Sequence, residues 1–361
     1  RYQELVARAM EMGENRILAG MHSPLDVMGG RVQATAVVAY SLASASYYTP
    51  TVKAAAVAQA QNYLISRAGV ADAVALNAYA HTAKTSDTAA VDYDRFADTA
   101  AWRKAYLQRL TYGLGSTGAA GQPATVPKSA EVLLETRLPY LSAEQRRVVL
   151  KTTALDSGFP LGNDGEGWGR LNLFAAADGY GAFNGDVSVT MDAALGGFHA
   201  QDRWRNDIGG PGRLAKAGSG LLRLAGANRY SGGTVLAAGT LAADSNTAFG
   251  TGDVFVKGGT LEVASPGALA VGGGYTQTAG SLSLVLGAEG RGQLQVAGTA
   301  TLAGGDLQLR FGGVTPKAGD TFTVLKAAQR KGRFASVTVA GFRQVTVTYL
   351  PDGVQVRLDG V

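Results

Sequence analysis

From Gly220 onward the chain repeats one short step: Gly220-Leu221-Leu222, Gly239-Thr240-Leu241, Gly259-Thr260-Leu261 and Gly280-Ser281-Leu282. The third residues of these steps lie 19, 20 and 21 positions apart, and Leu302 continues the series at 20. A unit of this length, made of alternating apolar and polar residues between glycine turns, is too small to bury its own apolar face. Each unit must therefore stack on the next, and the period-two alternation makes the stacked units strands. The fold expected from about Val187 to Val361 is a right-handed parallel β-helix, the hand following from the twist of strands joined by crossovers.

The first part of the chain has another texture. It is Ala-rich, with apolar residues three and four apart, as in Tyr2-Leu5-Val6-Ala9, which is a helical pattern. The fold class expected is thus α + β multidomain: an all-α N-terminal piece followed by the β-helix solenoid. Residues 1–112 are assigned to the helical piece, 113–200 to a linker with short helical and irregular segments, and 201–361 to the solenoid. Gly113 to Pro127 is rich in Gly, Pro, Ser and Thr and reads as a loop, while Ser142 and Gln145 form a capping-box pair that opens a helix running to about Lys151.

Composition narrows the function classes. Fifty glycines accompany 46% apolar residues, so the glycines mark turns rather than disorder. The net charge of +5 is scattered, with only short clusters such as Arg330, Lys331 and Arg333, and no nucleic-acid partner is expected. With no cysteine, disulfides, thiol nucleophiles and thiolate metal sites are excluded, a composition compatible with export. The longest apolar stretch, Ala34 to Ala45, falls short of the ~18–20 residues of a spanning helix. The chain opens on Arg1 with no leader pattern, so a fragment or processed product is expected, with any targeting signal outside it.

Within the solenoid region the motifs become specific. Trp204-Arg205-Asn206-Asp207-Ile208, the spaced Leu214, Lys216, Gly218 and Gly220, and Ala227-Asn228-Arg229-Tyr230-Ser231-Gly232-Gly233-Thr234 leading into Ala238-Gly239-Thr240-Leu241 resemble the passenger-associated repeat of bacterial autotransporters. The run Gly319-Asp320-Thr321-Phe322-Thr323-Val324-Leu325 with Gly332-Arg333-Phe334 is similar to the C-terminal part of such passengers. The resemblance covers residues 204 to 361. It implies display outside a Gram-negative outer membrane, with a downstream β-barrel translocator as partner.

The helical piece offers one array with chemical content: Arg16, then five residues, His22, then three residues, Asp26. Ser23-Pro24-Leu25-Asp26 reads as a helix start, which puts His22 beside a helix N-terminus, where anions are favoured. Arg16 can grip a phosphoryl group through its planar fork. Asp26 can accept the proton of the second ring nitrogen and fix the tautomer of His22. A histidine at a helix start is equally suited to capping or packing.

With its neighbours Gly13-Glu14-Asn15 and Val27-Met28-Gly29-Gly30-Arg31, this array resembles the third signature of the type 2 phosphatidic acid phosphatase superfamily, over about residues 1 to 45. The resemblance implies phosphate binding by Arg16, a phosphohistidine at His22 and orientation by Asp26, with no metal or organic cofactor. Asn15 stands where the signature has Ser and is kept as a phosphate-binding candidate. The family's Lys-x6-Arg-Pro and Pro-Ser-Gly-His do not occur in these 361 residues and would precede Arg1.

Other candidates carry less. His81 reads as a solvated helix end, His199 as structural, and Asp92, Asp94 and Asp98 as a solvated helix start that lacks the glycine and glutamate of a calcium loop. Gly167-Trp168-Gly169-Arg170-Leu171-Asn172 resembles the end of a subtilisin-like domain, but no Gly-Thr-Ser-x-Ala nucleophile stretch precedes it and a protease is not expected. The Gly272-Gly273-Gly274 run is a turn, since a phosphate loop would need a following Lys and Ser or Thr. Two functions follow: a surface-displayed or secreted acid phosphatase acting on phosphomonoesters, or a non-catalytic adhesive or structural passenger.

Overall fold

A computed structural model describes residues 2–44, 46, 50–80, 98–288 and 291–360. His81, Asp92 and Asp94 lie outside the described residues. The chain divides into two compact units, Arg1–Ala177 and Asp178–Val361. The division falls inside the stretch expected to be a connecting region.

In the first unit, α1 (Tyr2–Leu18) and α2 (Pro24–Ala43) are followed by α3 (Pro50–Ala68), α4 (Ala73–Ala80), α5 (Thr99–Thr111) and α6 (Ala143–Thr152). A single turn, α7 (Leu173–Ala176), closes the unit. One buried cluster joins Ala7 and Met10 of α1, Tyr106 and Leu110 of α5, and Phe174 of α7, and Leu134, Leu138, Val149 and Leu150 are buried farther along the unit. Tyr106 and Phe174 meet with ring centroids 5.5 Å apart. No residue of α3 is buried, so its helical pattern faces solvent.

Residues 113–177 contain little regular structure, and arginines fix their path. Arg170 donates to the carbonyls of Leu155, Pro123 and Gln122 at 2.8, 3.1 and 3.0 Å. Arg147 does the same for Pro127 and Val126 at 2.9 and 2.8 Å. These charged donors satisfy backbone oxygens that no ladder would pair, which is how an irregular segment stays ordered. Helix α6 starts on the expected capping box of Ser142 and Gln145.

The second unit is the solenoid. One face carries the parallel sheet β1 (Val187–Thr190), β3 (Leu214–Ala217), β5 (Thr234–Leu236), β7 (Val254–Val256), β10 (Tyr275–Gln277) and β12 (Leu294–Leu302). Facing it are β2 (Gln201–Trp204), β4 (Leu221–Leu224), β6 (Thr240–Ala243), β8 (Thr260–Val263), β11 (Ser281–Leu286), β13 (Asp306–Phe311) and β15 (Ser336–Val339). Consecutive strands alternate between the two sheets over most of this span and equivalent strands pair in parallel, as a parallel β-helix requires. At the end of the first sheet β14 (Thr321–Gly332), β17 (Gly353–Gly360) and β16 (Gln344–Leu350) pair antiparallel.

The sequence period maps onto the register. Leu222, Leu241, Leu261 and Leu282 stand opposite one another in successive coils, and the four are buried. The series then departs from expectation: the partner of Leu282 is Leu307, 25 residues on, while Leu302 sits in the other sheet opposite Gln277. The reason is a longer coil. Strand β12 is nine residues long with a register shift between Val296 and Thr299, and it pairs with both β9 (Leu269–Val271) and β10.

Inside the first sheet one row reads Lys216, Leu236, Val256, Gln277 and Leu302. Lys216 and Gln277 are fully buried there and are held by backbone oxygens: Lys216 Nζ donates to Ala217 at 2.7 Å, and Gln277 Nε2 donates to Gly280 and Asp306 at 3.1 and 3.2 Å. Without these acceptors either group would cost several kcal/mol, roughly the price of an unpaired buried polar group.

Candidate functional site

The end of α1 and the start of α2 build the site. Gly20 has φ 71°, and Gly20 N–H donates to Ile17 O at 2.9 Å while Met21 N–H donates to Arg16 O at 3.1 Å. This paired closure of a helix C-terminus needs a left-handed residue, which glycine adopts without strain. His22 N–H also reaches Arg16 O, at 3.3 Å. The chain thereby folds back and sets His22 beside Arg16.

Ser23 then caps α2. Its hydroxyl accepts from Asp26 N–H at 3.3 Å, and Asp26 Oδ2 accepts from Ser23 N–H and Oγ–H at 3.0 Å each. Those donors hold the Asp26 carboxyl below the usual carboxylate range, with a smaller contribution from His22. His22 Nδ1 lies 4.0 Å from Asp26 Oδ2, too long for a hydrogen bond, because the oxygen that would orient the imidazole is turned to the cap. Both side chains are exposed.

Arg16, His22 and Asp26 line one cleft of about 430 Å³. Asn15, one residue round α1 from Arg16, is not among its lining residues. Close packing of the two helices forms the floor: a Cβ on Gly13 would stand 3.0 Å from Val27 Cγ1. Two further cations that no spacing in the sequence pointed to, Arg31 of α2 and Arg109 of α5, also line the cleft. Arg109 is ion-paired with Glu14, and Arg31 donates to Gly169 O at 3.0 Å. Among the described residues no group of His, Asp and Glu is arranged to hold a metal ion.

His199 sits half-buried on a single helical turn, Gly197–Ala200, in the solenoid unit, and Asp98 caps α5 through Ala101 N–H at 2.9 Å. Asp98 is therefore used in helix capping.

In the solenoid the repeat motif has a physical reading. Asn228 bridges coils, accepting from Ile208 N–H at 2.8 Å and donating to Ala248 O at 2.6 Å. Tyr230 is fully buried with its hydroxyl 2.6 Å from Thr234 Oγ1. A Cβ on Gly232 would stand 2.4 Å from the backbone of Gly212 in the adjacent coil, so only glycine lets the turns stack.

These coils form a parallel β-helix. Residues 214–243 match the passenger-associated-transport-repeat family. The chain is 30% identical over 170 residues to an extracellular serine protease of Serratia marcescens, covering 38% of this chain and 16% of that protein. It is 36% identical over 124 residues to the Neisserial autotransporter lipoprotein NalP of Neisseria meningitidis serogroup B, covering 33% and 11%. Serotype-specific antigen 1 of Mannheimia haemolytica is 31% identical over 117 residues, covering 32% and 12%. Residues 214–243 thus carry the repeat of an autotransporter passenger segment, and the chain spans under a fifth of the length of these relatives.

Proposed function

We propose that the β-helix serves as a surface-displayed passenger, delivered by a β-barrel translocator belonging to the parent chain. The passenger-repeat match over 214–243 carries this reading, and it favours a structural or adhesive role for the solenoid. Extended solenoid flanks suit such binding.

A finer reading concerns the helical unit: an acid phosphatase acting on phosphomonoesters. It is supported by the convergence of Arg16, His22 and Asp26 on one cleft that also holds Arg31 and Arg109. In this mechanism Arg16 bears on the phosphoryl oxygens. A ring nitrogen of His22 attacks phosphorus as the bond to the leaving alcohol breaks, and the departing alkoxide takes a proton from water. Water then cleaves the P–N bond and regenerates His22. Asp26 would orient the imidazole after turning away from Ser23. The comparisons support the passenger and none bears a phosphatase name, so the non-catalytic reading has the broader support.

Hydrolysis of a chromogenic phosphomonoester by the parent chain between about pH 4 and 8, beside His22→Ala, separates the two. Turnover lost in the variant supports the phosphatase. A folded parent without turnover, or turnover indifferent to His22, leaves the non-catalytic passenger.

A further inference from the structure

The cleft contains more cationic donor capacity than the protein uses. Arg31 Nε and Arg109 Nη1 are both buried and neither has a hydrogen-bond partner among the described residues. Both arginines line the cleft beside Arg16 and His22. Charged side chains with unsatisfied buried N–H groups are rare because each forfeits its hydration without compensation.

Arg31 also lacks a carboxylate partner among the described residues. Arg31 makes one hydrogen bond, to the neutral Gly169 carbonyl. Asp164, which acts on Arg31 electrostatically, is engaged by the backbone N–H groups of Gly167, Trp168 and Gly169. Arg109 has Glu14, which takes its Nε and Nη2 and leaves Nη1 over. Two guanidinium groups that line one cleft with N–H groups to spare call for an anion with several acceptor oxygens.

We propose that Arg31 and Arg109 form a second anion subsite in the cleft they share with Arg16 and His22, which takes the second phosphoryl group of a diphosphate-bearing ligand. The assignment of the first phosphoryl group to Arg16 and His22 rests on the phosphatase reading. The second subsite rests on the unpaired donors alone. A diphosphate satisfies both sets at once, whereas orthophosphate satisfies one.

Calorimetric titration of the protein with inorganic pyrophosphate and with orthophosphate tests this. Pyrophosphate should bind at least about tenfold more tightly than orthophosphate, the increment of one added charge-assisted contact set. Arg31→Gln and Arg109→Gln should each cut that preference to below about threefold. Because the arginines lie on different helices, loss of folding in one variant leaves the other informative. The comparison of the two anions on the unaltered protein is decisive without either.

Equal affinities for the two anions, or a preference untouched in both folded variants, would overturn the subsite. The phosphatase reading fails separately. Pyrophosphate preference with no turnover of any phosphoester keeps the subsite and removes the phosphatase, while turnover that needs His22 with no pyrophosphate preference does the reverse.

Discussion

The two units solve the burial problem in opposite ways. In the solenoid every coil covers its neighbour, and Trp204, Tyr230, Phe249 and Tyr275 are fully enclosed. In the helical unit α3 buries nothing, and Val37, Val38, Tyr40, Tyr63 and Leu64 stand in solvent. Among the described residues, every strongly exposed large apolar side chain except Leu195 and Phe255 belongs to the helical unit. Repetition therefore gives a closed core from local rules, whereas the helical unit leaves many large apolar side chains in solvent.

The largest test of this contrast is Trp204→Ala. Trp204 packs against the rings of Tyr180 and Phe183, at 5.4 and 6.5 Å, and over Gly179. Urea unfolding followed by circular dichroism should show the solenoid destabilised by about 3–5 kcal/mol. Tyr63→Ala, on α3, should stay within about 0.5 kcal/mol. Comparable losses at both positions would erase the distinction.

Next is Lys216, whose burial pulls its ammonium down to about 8 from the ordinary 10.5. Between those values the unfolded chain holds a proton that the folded chain has released, so stability rises as pH climbs through that window. Relative to Lys216→Met, the native protein should gain about 1–3 kcal/mol between roughly pH 7 and 10.5, read from paired urea melts. A pH-independent difference would mean that Lys216 stays charged and satisfied by its carbonyls.

A smaller effect is expected at Glu262, which binds Arg223 at 2.7 Å and Arg310 at 2.8 Å. Burial raises its carboxyl, but hydrogen bonds from Arg310 and Arg223 outweigh that and hold it below the usual range. The stabilisation is present above the ordinary carboxylate pKa and is lost as pH falls through the depressed one. Glu262→Gln should cost about 1 kcal/mol at neutral pH, less in high salt and nothing in strong acid. The smallest effect belongs to the helical unit: Ser23→Ala removes the cap of α2 and should cost about 0.5–1 kcal/mol by thermal melt.

How far the sequence could be read follows the same division. The leucine period located four successive coils because stacked coils repeat the same environment. It failed at Leu302, where a bulged strand lengthened the coil without altering the local alternation. Residues 113–177 gave no periodic trace because Arg147 and Arg170 hold them through carbonyls far along the chain. In the cleft, Arg16, His22 and Asp26 were visible as a spaced array on one helix–turn–helix, and the Ser23 cap was visible with them. What remained hidden was that capping turns Asp26 away from His22. Arg109 was hidden too, since only tertiary packing brings α5 to the cleft.

Arg223 of β4 also pairs with Asp244, and its reach to Glu262 of β8 passes over Ala242 of β6. Arg310 of β13 reaches back to the same Glu262 past Ser283 of β11. Both links skip a coil. In a stack joined only to adjacent coils, melting can advance one coil at a time from a loose end. Stitches that span three coils lengthen the distance over which neighbouring coils must open together, so fraying that reaches β4 or β13 meets a block of five strands that opens as one.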